Sequence, residues 1–193
     1  MSNTTFHNIL TKQEYQRLLS TAHELDHRYG FTVYMLGHTG MRTGELAHFR
    51  PDWFDAGVNL ITIPESQDCW QSKSRKARSI PLPESAIDTI DWYLSTLGED
   101  AYGYSPSTIH RHVAAGAEEA GLDSVTASDL RYTLAQELRR LGVQRDVFAA
   151  ILDVTRTSIS RHHTGKLPQD LLLELNQQAK LDTLYDGATV TRE

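Results

Sequence analysis

A series of helical patterns is interrupted once, near the middle of the chain, by two short β-branched runs, and this arrangement constrains the fold most. The helical segments repeat apolar residues at three- and four-residue spacing. The interrupting runs are residues 58–63 (VNLITI) and 78–82 (RSIPL), where apolar β-branched residues alternate with others and prolines lie at or near the ends. We therefore expect a mainly α-helical domain with a small antiparallel β-sheet, an α+β fold.

Caps and breakers mark the helix boundaries. Thr11 followed by Glu14 has the pattern of a capping box, so a first helix begins there, and Gly30 is predicted to end it. Residues 31–40 are apolar enough for a buried helix, although their β-branched residues also allow a strand. Further helical segments are predicted over residues 41–49, 84–97, 105–120, 128–141 and 144–152, and from Pro168.

The composition excludes several classes of protein. The chain has 193 residues, enough for one full domain but not for two large ones. Its net charge of -6 means that any nucleic-acid surface must be local. The single cysteine, Cys69, cannot form an internal disulfide, and without a Cys/His cluster we expect neither a metal nor a cofactor. The sequence has no export signal and no long apolar run, so we expect a cytoplasmic protein that does not contact membranes.

Three separated groups of basic residues are the most informative feature for function. Arg42 lies three residues before Glu45 on one helical face, where a surface ion pair is the simplest interpretation. The segment between the two predicted strands adds four cations without an acid: Lys73, Arg75, Lys76 and Arg78. These cations suit either a solvated hairpin tip or a loop that faces phosphates. Arg131 stands near a helix start and needs a negative partner, either Asp129 or an external phosphate.

The order and spacing of these groups resemble the catalytic domain of tyrosine recombinases, the integrase and Xer-like family, from about residue 10 to 175. The family's first arginine box, TG-x-R-x-x-E-L, is matched by residues 39–46. The frame of its hairpin lysine, K-x-x-x-x-R-x-x-P-L, is matched by residues 73–82, and its Leu-Arg pair by Leu130 and Arg131. The resemblance implies the tyrosine recombinase catalytic-domain fold, of the DNA breaking-rejoining type, and double-stranded DNA as a partner.

The resemblance also assigns roles to single residues. Arg42 and Arg131 would hold the scissile phosphate, and Lys73 would donate a proton to the leaving oxygen. At the family's other catalytic positions the chain differs: a histidine is replaced by Ser128, the histidine or tryptophan of an L-G-H motif by Val154, and the nucleophilic tyrosine by His163. Valine cannot donate a hydrogen bond, and histidine cannot form the phosphotyrosine intermediate. The pocket is therefore predicted to be vestigial.

The leading hypothesis is a catalytically inactive, DNA-binding relative of the integrases that regulates transcription or recombination. Its predicted DNA contacts are Arg42, Lys73, Arg75, Lys76, Arg78 and Arg131. A minimal site-specific recombinase or nicking enzyme with His163 or Tyr185 as its nucleophile is the alternative from another class. A protein-interaction module without DNA binding is the third hypothesis.

The expected organisation is a single recombinase-like domain over residues 1–180, without the N-terminal domain of the family, and a flexible tail over residues 181–193. The C-terminal segment over residues 166–181 has a stripe of four leucines: Leu167, Leu171, Leu172 and Leu175. This stripe either covers the protein's own core or joins two copies in a homodimer. An active integrase is a further candidate partner.

Overall fold

Helices dominate the computed structural model, which describes residues 8–153 apart from the side chains of Arg145, Asp146 and Phe148. The helix predicted from Pro168 and the predicted tail lie outside these residues. The helices are α1 Lys12–Leu25, α2 His27–Thr39, α3 Thr43–Ala47, α4 Glu84–Leu97, α5 Pro106–Glu119, α6 Ala127–Arg140 and α7 Arg145–Leu152. The strands are β1 Phe54–Asp55, β2 Leu60–Ile63, β3 Ser66–Gln67, β4 Trp70–Gln71 and β5 Arg78–Pro81. The mainly α fold with a small antiparallel sheet is confirmed.

The capping box that starts α1 is present as predicted. The Glu14 amide donates to the Thr11 hydroxyl at 3.2 Å, and the Thr11 amide donates to the Glu14 carboxylate at 2.7 Å. The predicted end of this helix is wrong. Asp26 ends α1 at Leu25 and at the same time caps α2, because its side chain accepts from the Arg28 amide at 2.8 Å.

Gly30 lies inside α2 rather than at a helix end. A Cβ atom there would lie 2.8 Å from the Cα of His23 and 2.6 Å from the hydroxyl of Tyr93. Glycine is therefore required here because the close approach of α1, α2 and α4 leaves no room for a side chain, and not because the chain turns. From Gly30 to Thr39 every residue of α2 is buried, so this helix forms the centre of the core.

The predicted antiparallel pair is present as β2 and β5, and the short strand β1, which was not predicted, joins it to give the order β1, β2, β5. Ile61 of β2 pairs with Ile80 of β5, and both side chains are buried against the helices. The strands β3 and β4 form a second, two-stranded ribbon, which the sequence analysis did not predict. The loop that carries Lys73, Arg75 and Lys76 connects this ribbon to β5.

The last two described helices place the end of α7 against the end of α2. Thr126 caps α6 in a capping box with Asp129, two residues before the predicted start. Leu134 and Leu138 of α6 pack with Leu152 in a second apolar cluster. A Cβ atom at Gly40, the left-handed residue that ends α2, would lie 2.5 Å from Leu152. The C-terminal end of α7 is thereby brought close to Arg42. None of the helices within residues 8–153 is long and apolar enough to cross a membrane.

Candidate functional site: an arginine cluster at the end of α7

Three arginines from distant parts of the sequence converge on the C-terminal end of α7. Arg42 precedes α3, Arg78 begins β5, and Arg131 lies in the second turn of α6. We call these three residues the arginine cluster. They donate to three consecutive carbonyl groups: Arg78 to Ile151, Arg131 to Leu152, and Arg42 to Asp153 at 2.6 Å. These carbonyls have no partner within the helix and form the negative end of its dipole, which explains their affinity for guanidinium groups.

A buried carboxylate holds two members of the cluster together. Glu45 is 2% exposed, and its Oε2 accepts from the Arg42 amide and from Nη2 of Arg78, both at 2.7 Å. Its Oε1 accepts from Nη1 of Arg42 at 3.1 Å. Burial acts to raise the pKa of Glu45, but the charges of Arg78 and Arg42 and their hydrogen bonds outweigh it and lower this pKa. The expected surface pair between Arg42 and Glu45 is therefore wrong, because the carboxylate is enclosed.

Arg131 finds its partners in the backbone and not in Asp129. Its guanidinium donates to the carbonyls of Gly40 and Leu152. The carboxylate of Asp129 accepts instead from the amides of Asn8 at 3.0 Å and Thr126 at 2.9 Å. The predicted Asp129 partner is therefore wrong. Burial, followed by the charges of Arg42 and Arg78, lowers the pKa of Arg131 to about 10.

The side chain of Asp153 also enters the cluster. Its Oδ2 accepts from Nη1 of Arg42 at 2.6 Å, and only 15% of this side chain is exposed. Asp153 adopts the left-handed conformation, with φ 45° and ψ 48°, that ends α7. Two carboxylates, Glu45 and Asp153, thus face three guanidinium groups. Among residues 8–153, the site keeps one positive charge in excess.

The loop that carries Lys73, Arg75 and Lys76, which we call the basic loop, presents these cations to solvent. The hydroxyl of Ser72, which is buried, accepts from the Lys76 amide and donates to the Lys76 carbonyl, both at 3.1 Å. Lys73, Arg75 and Lys76 are exposed, and within residues 8–153 their side chains make no hydrogen bond or ion pair. The loop is therefore anchored at its base and carries three solvated charges.

Arg78 does not belong with the loop cations. It was predicted to contact DNA beside Arg75 and Lys76, but its side chain is only 7% exposed and is paired with Glu45. The expectation of a solvated Arg78 is therefore wrong, because the β5 strand turns this side chain inward. Lys73 was expected to share a phosphate with Arg42 and Arg131, and among the described residues no contact joins it to them.

The remaining predicted site residues lie elsewhere. Ser128 is exposed one turn before Arg131 on α6, so the two residues share a helical face. Val154, His163 and Tyr185 lie outside the described residues. No group of three His, Cys, Asp or Glu side chains within residues 8–153 is placed to hold a metal ion. Sequence motifs gave no signal for Asp153, whose contact with Arg42 is visible only in the folded chain.

Comparison with known proteins gives a consistent family. The model of the phage integrase family matches residues 8–169. A tyrosine recombinase of Thermosipho africanus is 24% identical over 186 residues, which are 92% of this chain and 60% of that protein. The tyrosine recombinase XerA of Thermococcus kodakarensis is 27% identical over 184 residues, which are 89% of this chain and 62% of that protein. The chain thus spans about three-fifths of the length of these relatives.

Solved structures show the same fold. The crystal structure of XerA recombinase matches with a TM-score of 0.67 and 24% identity, over 92% of this chain and 65% of that one. The catalytic core of lambda integrase matches with a TM-score of 0.62 and 20% identity, over 79% of this chain and 95% of that one. With a family model that matches most of its length, this chain belongs to the phage integrase family, the tyrosine recombinases.

Proposed function

We propose that this chain is a DNA-binding member of the family that has lost strand cleavage and acts as a regulator of transcription or recombination. The observation that carries the proposal is a retained set of cations in a chain whose nucleophile position holds His163. Counted over the part of the chain that the structure describes, the arginine cluster has an excess of positive charge, and the basic loop adds three solvated cations. Both features attract a phosphate backbone, although the whole chain is acidic.

The basic loop is the better candidate for the first contact with DNA. The side chains of Lys73, Arg75 and Lys76 are exposed and unpaired within the described residues, so they need not give up a protein partner to reach a phosphate. Contacts of this kind position a protein on the duplex but carry no sequence information. We therefore expect the loop to strengthen binding to every sequence alike.

The loss of cleavage rests on residue chemistry. A tyrosine recombinase needs a phenol to form its covalent intermediate, and His163 has an imidazole at that position. Val154 has no polar atom in its side chain, so it cannot stabilise the phosphate as the histidine or tryptophan of the family does. Ser128 still offers a hydroxyl, which donates a hydrogen bond but is a poor acid or base near neutral pH.

Fluorescence anisotropy with labelled duplex DNA tests binding directly. We expect the full chain to bind duplexes at low salt and to lose affinity steeply as salt increases. Genomic fragments recovered with the purified protein would supply its preferred sequence for all later assays. A chain that binds no duplex even at low salt would refute the proposal and favour the protein-interaction module.

A suicide substrate, with a nick beside the target phosphate, tests cleavage on the recovered sequence. We expect no covalent protein-DNA adduct on denaturing gels. An adduct that disappears in His163→Phe or Tyr185→Phe would establish the alternative, a recombinase or nicking enzyme with an unconventional nucleophile. A tyrosine recombinase with its own nicked site serves as the positive control.

We further propose that the protein binds DNA as a homodimer, through the leucine stripe of residues 166–181, or together with an active integrase. Two linked binding modules gain avidity without any new contact to DNA. Sedimentation of the full chain at tens of micromolar is expected to show a dimer. A monomer at that concentration would contradict the homodimer.

A further inference from the structure

We infer that the Asp153 carboxylate is an internal ligand of the arginine cluster and that it must leave before a DNA phosphate can bind there. The inference rests on the proposed function only in naming DNA as the source of the phosphate. The Asp153 carboxylate and an external oxyanion compete for the same guanidinium groups.

The contacts of Arg42 identify the donors for which an external oxyanion would have to compete. Both of its Nη atoms are engaged with Asp153, Nη1 with the carboxylate Oδ2 and Nη2 with the backbone carbonyl, each at 2.6 Å. This paired arrangement is the one by which arginine holds two oxygens of a phosphate. Arg78 and Arg131 each donate one hydrogen bond to α7, to the carbonyls of Ile151 and Leu152 respectively. The end of α7 thus takes the donors that an oxyanion would use.

The Asp153 side chain, and not only its backbone carbonyl, distinguishes this chain from the motif of the family. Asp153 has a φ of 45°, in the left-handed region where glycine is favoured and where Asp and Asn are tolerated. The L-G-H motif of the family has glycine at this position. A glycine would preserve the turn and the carbonyl contact but would offer no carboxylate to Arg42. Aspartate therefore adds a second carboxylate to the cluster, beside that of Glu45.

The charges of the described residues set the direction of the effect. With Asp153 ionised, the three guanidinium groups and two carboxylates leave one positive charge, and without its carboxylate they leave two. The Asp153 side chain is only 15% exposed, so water screens this interaction less than it screens a surface pair. An oxyanion should consequently bind more tightly once the Asp153 charge is removed.

Asp153→Asn is the decisive variant, because asparagine preserves the shape, the left-handed backbone and one oxygen that can accept from Arg42. The probe is inorganic sulfate, followed through the Nε–H resonances of the arginines in the full chain. We expect the sulfate dissociation constant to fall about tenfold, equivalent to about 1.4 kcal/mol. The gain should disappear when Arg42→Gln is added to Asp153→Asn.

Asp68→Asn is the matched control. Asp68 is also left-handed, with φ 51°, and also pairs with an arginine, Arg50, but its side chain is 65% exposed. This control removes the same charge from the chain and should leave the sulfate affinity within about twofold of the wild type. If Asp153→Asn proves to be unfolded by circular dichroism, Asp153→Gly provides the same test with the residue of the family motif.

The outcomes separate this inference from the proposed function. An unchanged sulfate affinity in Asp153→Asn would overturn the inference, and so would a weaker one, which would mean that Asp153 positions Arg42 for the anion. Duplex DNA binding is measured on the same variants and should also become tighter. If the wild type and Asp153→Asn bind no DNA while Asp153→Asn gains sulfate affinity, the inference stands and the proposed function fails.

Discussion

Replacing Glu45 by glutamine would remove the buried charge that joins Arg42 to Arg78. The carboxylate accepts three hydrogen bonds of 3.1 Å or less, and glutamine can preserve only part of them, because its amide nitrogen would face a donor. Removing one partner of a buried ion pair costs about 3–5 kcal/mol. Asp153 and the carbonyls of α7 still serve the arginines, so we expect a loss of about 3 kcal/mol in the free energy of unfolding.

Urea denaturation, followed by circular dichroism, measures this loss. The midpoint should fall while the m-value stays unchanged, which is the signature of altered stability without a change in the surface exposed on unfolding. Glu137→Gln is the control, because Glu137 pairs with Arg140 at the surface and should cost less than about 1 kcal/mol. If Glu45→Gln costs no more than Glu137→Gln, the buried carboxylate does not hold the cluster together.

Two further predictions concern the core. Burial lowers the pKa of His38 to about 3. Burial, followed by the charge of Arg111, lowers the pKa of His112 to about 4. At pH values below the ordinary histidine pKa of 6.5, the unfolded chain therefore binds more protons than the folded protein. The free energy of unfolding should therefore fall by about 3 kcal/mol between pH 6.5 and about pH 5, and a flat profile in denaturation experiments over this window would contradict buried neutral histidines. Gly30→Ala should destabilise the protein by about 1–3 kcal/mol, since the new methyl group would meet the backbone of His23 at 2.8 Å. Gly44→Ala, where the nearest atom lies 3.9 Å away, should be neutral or stabilising, and equal melting temperatures for these two variants would refute the packing argument.

Helix boundaries were predictable from the sequence where residues close together in the chain determine them. The predicted helix over residues 84–97 matches α4, and the Thr11 capping box was found because its residues are three apart. Sequence reasoning failed at Gly30, whose role comes from α1 and α4, which lie close to it in space. It also missed the β3–β4 ribbon, a polar segment that is held by packing of Trp70 against Trp53 and His48.

The candidate site was predictable in its residue types but not in its geometry. The spacing of the motifs selected Arg42, Lys73 and Arg131, and the structure brings together Arg42 and Arg131, with Arg78 beside them rather than Lys73. Spacing could not show that Arg78 turns inward to Glu45, because the direction of a side chain at the start of a strand depends on sheet register. It also could not show that Asp153 meets Arg42, because this contact requires the packing of α7 against α6 and β5.

The salt dependence of duplex DNA binding tests the central claim most directly. Arg75→Gln combined with Lys76→Gln removes two charges from the basic loop. Arg17→Gln combined with Arg111→Gln removes two exposed charges from α1 and α5 as the matched control. If the loop holds the phosphate backbone, the slope of log K against log salt should become less negative by about 2 in the loop variant and stay unchanged in the control. Equal slopes in the loop variant and the wild type would contradict a DNA-binding role for this surface.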